Sequence, residues 1–151
     1  MKKDISLYLD SKNVLFLKAA TKKEALSELI DALARSSGIA DKNELEEGIW
    51  QREKLMSTGI GLGIAVPHVR IKSVKDPVLA VGLSSEGIKD YESLDNNPVR
   101  IIIMIAAGEK QHAMYISLLS AVTSVLKEAS VRDKILASAS PEEIYSTLTG
   151  S

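Results

Sequence analysis

Residues 99–107, Val-Arg-Ile-Ile-Ile-Met-Ile-Ala-Ala, admit few folds. Only Arg100 breaks the run, and a β-branched strand with no polar alternation has two faces that must both leave water. Its uninterrupted part, Ile101 to Ala107, is seven residues long, far too short to cross a bilayer. The run therefore reads as the central strand of a sheet covered by helices on both faces. Val78 to Ser84 is a second clear strand, and Val14 to Leu17 a shorter buried one.

Helical signals surround these strands. Thr21 with Glu24 three residues on is a capping box, followed by the stripe Ala25, Leu29 and Ala32-Leu33, with Gly38 placed to end the helix. Asp41 caps a second helix to about Met56, with Leu45, Ile49 and Met56 on one face. Arg52 projects from that same stripe near the helix end, and Trp50 reads as packing. A long helix from about Lys110 to Ala129 points Ile116, Leu119, Val122 and Leu126 inward. Val131 to Ala139 and Pro141 to Leu148 add two more, the last capped by Ser140 with proline at its first position. Glu86-Gly87 and Asp95-Asn96-Asn97-Pro98 mark turns. The expectation is an α/β fold, a central mixed β-sheet flanked by helices, as one domain over residues 1–151.

Composition excludes several classes. The charge sum is −1 with no long run of one sign, so no nucleic-acid partner is expected. There are no cysteines, hence no disulfides, thiol nucleophile or thiolate metal site. The N-terminus lacks the apolar segment of a signal peptide and no stretch fits a membrane span, so a cytoplasmic protein without membrane insertion is expected.

The chemistry gathers around two histidines. Ser57 to His68 packs three of the nine glycines, Gly59, Gly61 and Gly63, into five residues, then enters a short strand. Those glycines suit either tight turns or main-chain N–H groups brought close to an anion; with no Gly-Lys-Ser/Thr ending they do not form a Walker A loop. His68 follows directly, and His112 opens the helix after the central strand. Strand ends of helix-covered sheets are where ligand crevices form. A lone histidine is more often structural, but neutral imidazole near pH 7 is both nucleophile and leaving group, which a reversible phosphoryl carrier requires. Arg52, Thr58 and the loop amides could then stabilise the phosphoryl oxygens, with Glu53 as resting partner of Arg52 or paired with Lys54 or Arg70. His112 shares a stripe with Ile116 and Leu119, so it is expected to face inward, as a neutral hydrogen-bonding neighbour or as a half-buried core histidine. Two histidines alone do not complete a zinc shell, and the Arg-His-Gly signature of a histidine phosphatase is missing.

Arg52-Glu53, Ser57-Thr58-Gly59-Ile60-Gly61, Gly63-Ile64-Ala65-Val66-Pro67-His68 and the helix opening at His112 (HAMYISLLSAV) together resemble the EIIA domain of the fructose, mannitol and nitrogen-regulatory branch of the bacterial phosphotransferase system. The resemblance spans nearly the whole chain. It implies a five-stranded mixed sheet between helices and a phosphotransferase component in which His68 takes a phosphoryl group from phospho-HPr or its nitrogen-branch relative. His112 and Arg52 would line the pocket, supported by Thr58, Gly59 and Glu53. An EIIB domain or a regulatory target would be the next partner, with no cofactor and no metal. Leu62 and Val69 depart from the small or polar residues common there and bear on partner choice. With no EIIB or EIIC segment in the sequence, a standalone protein is expected. Two functions follow: a phosphohistidine carrier in sugar uptake, or a regulatory module whose phosphorylation controls a partner without onward transfer.

Overall fold

The computed structural model describes residues 2–36 and 38–150. Its centre is β6 (Val99–Gly108), the apolar run read from the sequence, in which every residue but Arg100 is buried. One edge of β6 pairs antiparallel with β5 (Val78–Ile88), and β5 pairs parallel with β1 (Leu9–Phe16). Along the other edge lie β3 (Ile64–Ala65) and then β4 (His68–Ile71), both parallel to β6, while β2 (Gly59–Gly61) pairs antiparallel with β3. Pro67 falls in the gap between β3 and β4, where it lacks an N–H to donate but its carbonyl accepts from Ile105 N–H at 3.0 Å. The sheet is mixed and six-stranded, not five-stranded. The loop's short glycine segments pair as strands, which no periodicity of two or three residues can announce.

Helices cover both faces, as β6 demands. On one face pack α2 (Lys22–Ala34) and α3 (Lys42–Leu55), whose Leu26, Leu29, Leu33, Leu45 and Ile49 meet Ile102, Met104 and Ala106 of β6. Trp50 packs partly buried against this layer. On the other face, α1 (Lys2–Tyr8), α4 (His112–Leu126), α5 (Ala129–Leu136) and α6 (Pro141–Thr149) meet Ile101, Ile103 and Ile105. Among the described residues no helix is long and apolar enough to cross a membrane.

The caps act as their sequences dictate: Thr21 accepts from Glu24 N–H and donates to its carboxylate, Asp41 accepts from Glu44 N–H, and Ser140 from Glu143 N–H. Several expectations need correction. Helix α1 carries no periodic signal of its own, and β1 begins at Leu9 rather than Val14, with a register shift between those residues. Helix α2 ends at Arg35 in ordinary right-handed backbone, so Gly38 does not cap it. Met56 lies past the end of α3, in extended backbone and exposed, so it does not extend the Leu45, Ile49 stripe. Glu86-Gly87 is no turn: β5 runs through it as an irregularity, with Gly87 at φ +88° and its N–H donating to Ser84 Oγ.

Candidate functional site

His68 opens β4 in register with Ile105, and Arg70 stands two residues on, opposite Ala107. Residues in register project to one face, and Ile105 belongs to the core under α4, so His68 and Arg70 face α4 at the sheet edge. There Tyr115, in the first turn of α4, meets the His68 ring at 5.4 Å between centroids, tilted by 55°. The Arg70 guanidinium lies 5.6 Å from the Tyr115 ring centroid, a cation over an aromatic face. Tyr115 has no sequence signal beyond lying three residues, one turn, after His112, and Arg70, which the sequence offers only as a partner for Glu53, stands instead over the Tyr115 ring.

The imidazole is oriented by its own chain. His68 Nδ1 is 2.7 Å from the Val66 carbonyl oxygen. A carbonyl can only accept, so Nδ1 carries the proton and Nε2 carries the lone pair. Burial pushes the His68 proton affinity below the ordinary imidazole value of 6.5, and the Arg52 charge lowers it further, against the opposing Val66 carbonyl and the Glu53 carboxylate. A neutral nucleophile therefore persists at pH values where a free histidine is half protonated. The folded state binds fewer protons here than the unfolded chain, so this contribution to stability is complete above pH 6.5 and lost as the pH falls through the lower folded value. An NMR titration of the His68 ring is expected to give a midpoint below 6.5. A midpoint above it would mean that neither burial nor Arg52 governs this ring.

Arg52 holds the end of α3: its Nη1 donates to the Met56 carbonyl at 2.8 Å, while its charge reaches His68, Tyr91 and Tyr115. Its partner is not Glu53. Glu53 is buried and pairs with Lys22 at 3.0 Å, accepts from the Thr58 hydroxyl at 2.6 Å and from Thr58 N–H at 3.3 Å. Tyr91 donates to Thr58 Oγ1 at 2.6 Å, and Lys22 Nζ lies 4.6 Å from the Tyr91 ring centroid. Burial first, then the Glu53 charge, hold the Tyr91 phenol far above its ordinary value, so it stays a donor. Thr58 is thus consumed within a closed network and is no free phosphoryl donor. Lys22 and Tyr91 had no motif to reveal them.

The glycine loop resolves toward turn geometry. Gly61 and Gly63 take φ +93° and +74°. Gly59 is obligatory because a Cβ there would sit 2.2 Å from the Glu92 carbonyl oxygen. The Gly61 N–H donates to Ser93 Oγ and the Leu62 N–H to Asp95 Oδ2, which holds the Asp95 carboxyl below its usual range. These amides are already occupied, so the loop does not cradle an anion with them.

His112 stands at the first position of α4 but is exposed, and Ile116 with it. The inward expectation fails because α4 is apolar on adjoining stripes, and the one that docks is Leu118, Ala121, Val122, Val125 and Leu126. No side chain caps α4: Gln111 Oε1 accepts from Gly108 N–H and its Nε2 donates to the Lys75 carbonyl. The first-turn N–H groups beside Tyr115 and His112 are left without a side-chain acceptor, an arrangement that favours an anion.

Comparison with known proteins decides the family. A model described as phosphoenolpyruvate-dependent sugar phosphotransferase system, EIIA 2, matches residues 7–150. The chain belongs to the EIIA type 2 family. This EIIA chain is 35% identical over 130 residues to the fructose-specific EIIABC component of Bacillus subtilis, covering 86% of the chain but only 20% of that longer protein. It is 32% identical to a nitrogen regulatory protein of Pseudomonas aeruginosa, covering 83% of the chain and 80% of the relative. In structure, the EIIA chain is similar to nitrogen regulatory protein IIA-Ntr of Neisseria meningitidis, with TM-score 0.87 and 27% identity over 96% of this chain and 99% of that one. The mannitol IIA chain in its Escherichia coli complex with phosphorylated IIB matches with TM-score 0.75 and 28% identity, over 92% and 96% of the two chains.

Proposed function

We propose that this chain, residues 1–151 as one domain, is a cytoplasmic phosphohistidine carrier that accepts a phosphoryl group on His68 Nε2 from an HPr-type protein and passes it to an EIIB domain. The observation that carries the reading is the Val66 carbonyl on Nδ1, which leaves Nε2 as the unprotonated nitrogen. In the transfer, the Nε2 lone pair forms the new P–N bond while the donor's P–N bond breaks and its electron pair returns to the donor nitrogen. No proton needs to move, and the Nδ1–H stays on Val66. Arg52, with the first-turn amides of α4, meets the charge on the phosphoryl oxygens, Arg70 on its Tyr115 platform adds a second cation, and His112 borders the site from the head of α4.

Arg52→Lys keeps the charge but loses the planar fork that reaches Met56 and the site together. Phosphoryl transfer is expected to fall ten- to a hundredfold, about 1.4 to 2.8 kcal/mol, with little change in melting temperature. Normal transfer in the lysine variant, or its unfolding, would make Arg52 structural.

A second reading, a regulatory module without onward transfer, draws support from the nitrogen regulatory relative, which the chain matches over most of that protein's own length. The discriminating experiment is to isolate the labelled chain and offer it an EIIB domain. Movement of the label supports the carrier; retention, with a phosphorylation-dependent change in affinity for another protein, supports the module.

A further inference from the structure

Strand β1 does not run evenly beside β5. Leu9 pairs with Leu79 and Val14 with Val81, so five steps along β1 span only two along β5, and residues 10–13 bow out of the sheet. Beside the bow lies a crevice of 690 Å³, within the size range of small-molecule sites, walled by the end of α2 and by residues 76–78 leading into β5. Hydrogen bonds hold these walls together. Asn13 is only 7% exposed, and its Nδ2 donates to Ser36 Oγ at 2.7 Å, which ties the bow to the end of α2. Ile39 bridges Val74, and Lys75 N–H donates to the Gly38 carbonyl at 3.2 Å, which ties the exit of α2 to the segment before β5.

Charges of both signs line the crevice: Asp10 and Asp76 bring carboxylates, Lys12 and Arg35 cations, all four exposed. The two ion pairs among the described residues, Lys22 with Glu53 and Lys42 with Asp31, involve none of them. Oppositely charged side chains that share a crevice without closing on one another leave partners for both an ammonium and a carboxylate of a ligand. An ion of one sign satisfies only half of such a lining. Leu7, Tyr8 and Val78 in the same lining offer apolar surface to a hydrocarbon side chain.

The crevice stands apart from the proposed phosphoryl site, since β5 and β6 separate β1 from β4 and place it roughly 14 Å across the sheet from His68. A short chain of hydrogen bonds nonetheless joins the two. The Lys75 carbonyl, next to Asp76, accepts from Gln111 Nε2 at 2.7 Å, and the Gln111 carbonyl accepts from Tyr115 N–H at 2.9 Å. Tyr115 carries the ring that meets His68. We infer that the crevice is a binding site for a small zwitterion, a free amino acid with an apolar side chain, and that its occupation shifts the head of α4. Neither half depends on His68 being the phosphoryl acceptor.

The probe is L-leucine, titrated to about 20 mM into the full chain and followed by the NMR shifts of the backbone amides. The amides of Asn13, Ser36 and Asp76 are expected to move along one saturating curve with a Kd of about 1 mM or below, and those of Gln111 and Tyr115 to follow the same curve. N-acetyl-L-leucine lacks the ammonium and L-leucinamide the carboxylate, so each should bind about tenfold more weakly or worse. Arg35→Gln and Asp76→Asn each remove one charge at an exposed position and should weaken L-leucine about tenfold with the melting temperature unchanged. Absence of any saturable shift in the wild-type chain overturns the site. Equal affinity for the acetylated or amidated form, or undiminished binding of L-leucine by both charge variants, overturns the zwitterion assignment. Shifts confined to the crevice, with Gln111 and Tyr115 unmoved, overturn the coupling to α4. No arm of the experiment uses phosphoryl transfer, so its failure and a failure of the acceptor reading are told apart.

Discussion

His68→Ala is expected to carry no acid-labile phosphoryl group after incubation with Enzyme I, HPr and labelled phosphoenolpyruvate, with loss of transfer complete rather than partial. Of the two histidines, only His68 has a ring held by a main-chain carbonyl, with Nε2 left as the free nitrogen at a sheet edge. His112 is exposed at the head of α4, and on the proposed reading it tunes the lifetime of the group and does not carry it. Because His68 is only half-buried and makes one hydrogen bond, alanine there should leave the melting temperature close to wild type, so the loss reads as chemistry. Peptide mapping of the label gives the check. Label retained on the alanine variant, or found on His112 while His68 is intact, would move the acceptor elsewhere.

Glu53→Gln is expected to lower stability by about 2–3 kcal/mol, a fall in melting temperature of roughly 5–10 °C for a chain of this size. The carboxylate is buried and satisfies three groups at once: the Lys22 ammonium, the Thr58 hydroxyl and the Thr58 N–H. A carboxamide has one acceptor oxygen and turns its NH2 toward a donor, which leaves the Lys22 charge, itself only 12% exposed, without a counter-ion. Adding Lys22→Met should restore part of the loss, because no uncompensated charge then remains inside; fully additive losses would show that the two residues are not coupled. The solvent-exposed pair between Lys42 and Asp31 is the control, and Lys42→Met should melt as wild type does. Since Glu53 also pins Thr58, whose carbonyl accepts from Val66 N–H, the variant should slow phosphoryl transfer beyond what its stability explains. Unaltered transfer in the folded variant would confine the network to a structural role.

The parts of this protein legible without coordinates are those written in short-range patterns. An apolar run such as 99–107 must be a covered central strand because both of its faces shed water, and that forces helices onto both sides. Thr21 with Glu24, Asp41 and Ser140 fix helix starts because a cap and the amide it serves lie within three residues. The string ending in Pro67-His68, with Arg52-Glu53 upstream, was enough to point to the EIIA family. What the tertiary structure alone decided involves residues far apart in sequence. Lys22 and Tyr91 close on Glu53, Tyr115 meets His68, Arg70 stacks on Tyr115, and Ser93 and Asp95 occupy the loop amides that looked free for an anion. Helix α4 shows why: its apolar residues cover adjoining stripes with nearly equal burial energy, so hydropathy leaves its rotation open by tens of degrees. Packing against β6 chose the stripe through Leu118 and Val122, and that choice turned His112 to solvent and brought Tyr115 over the His68 ring.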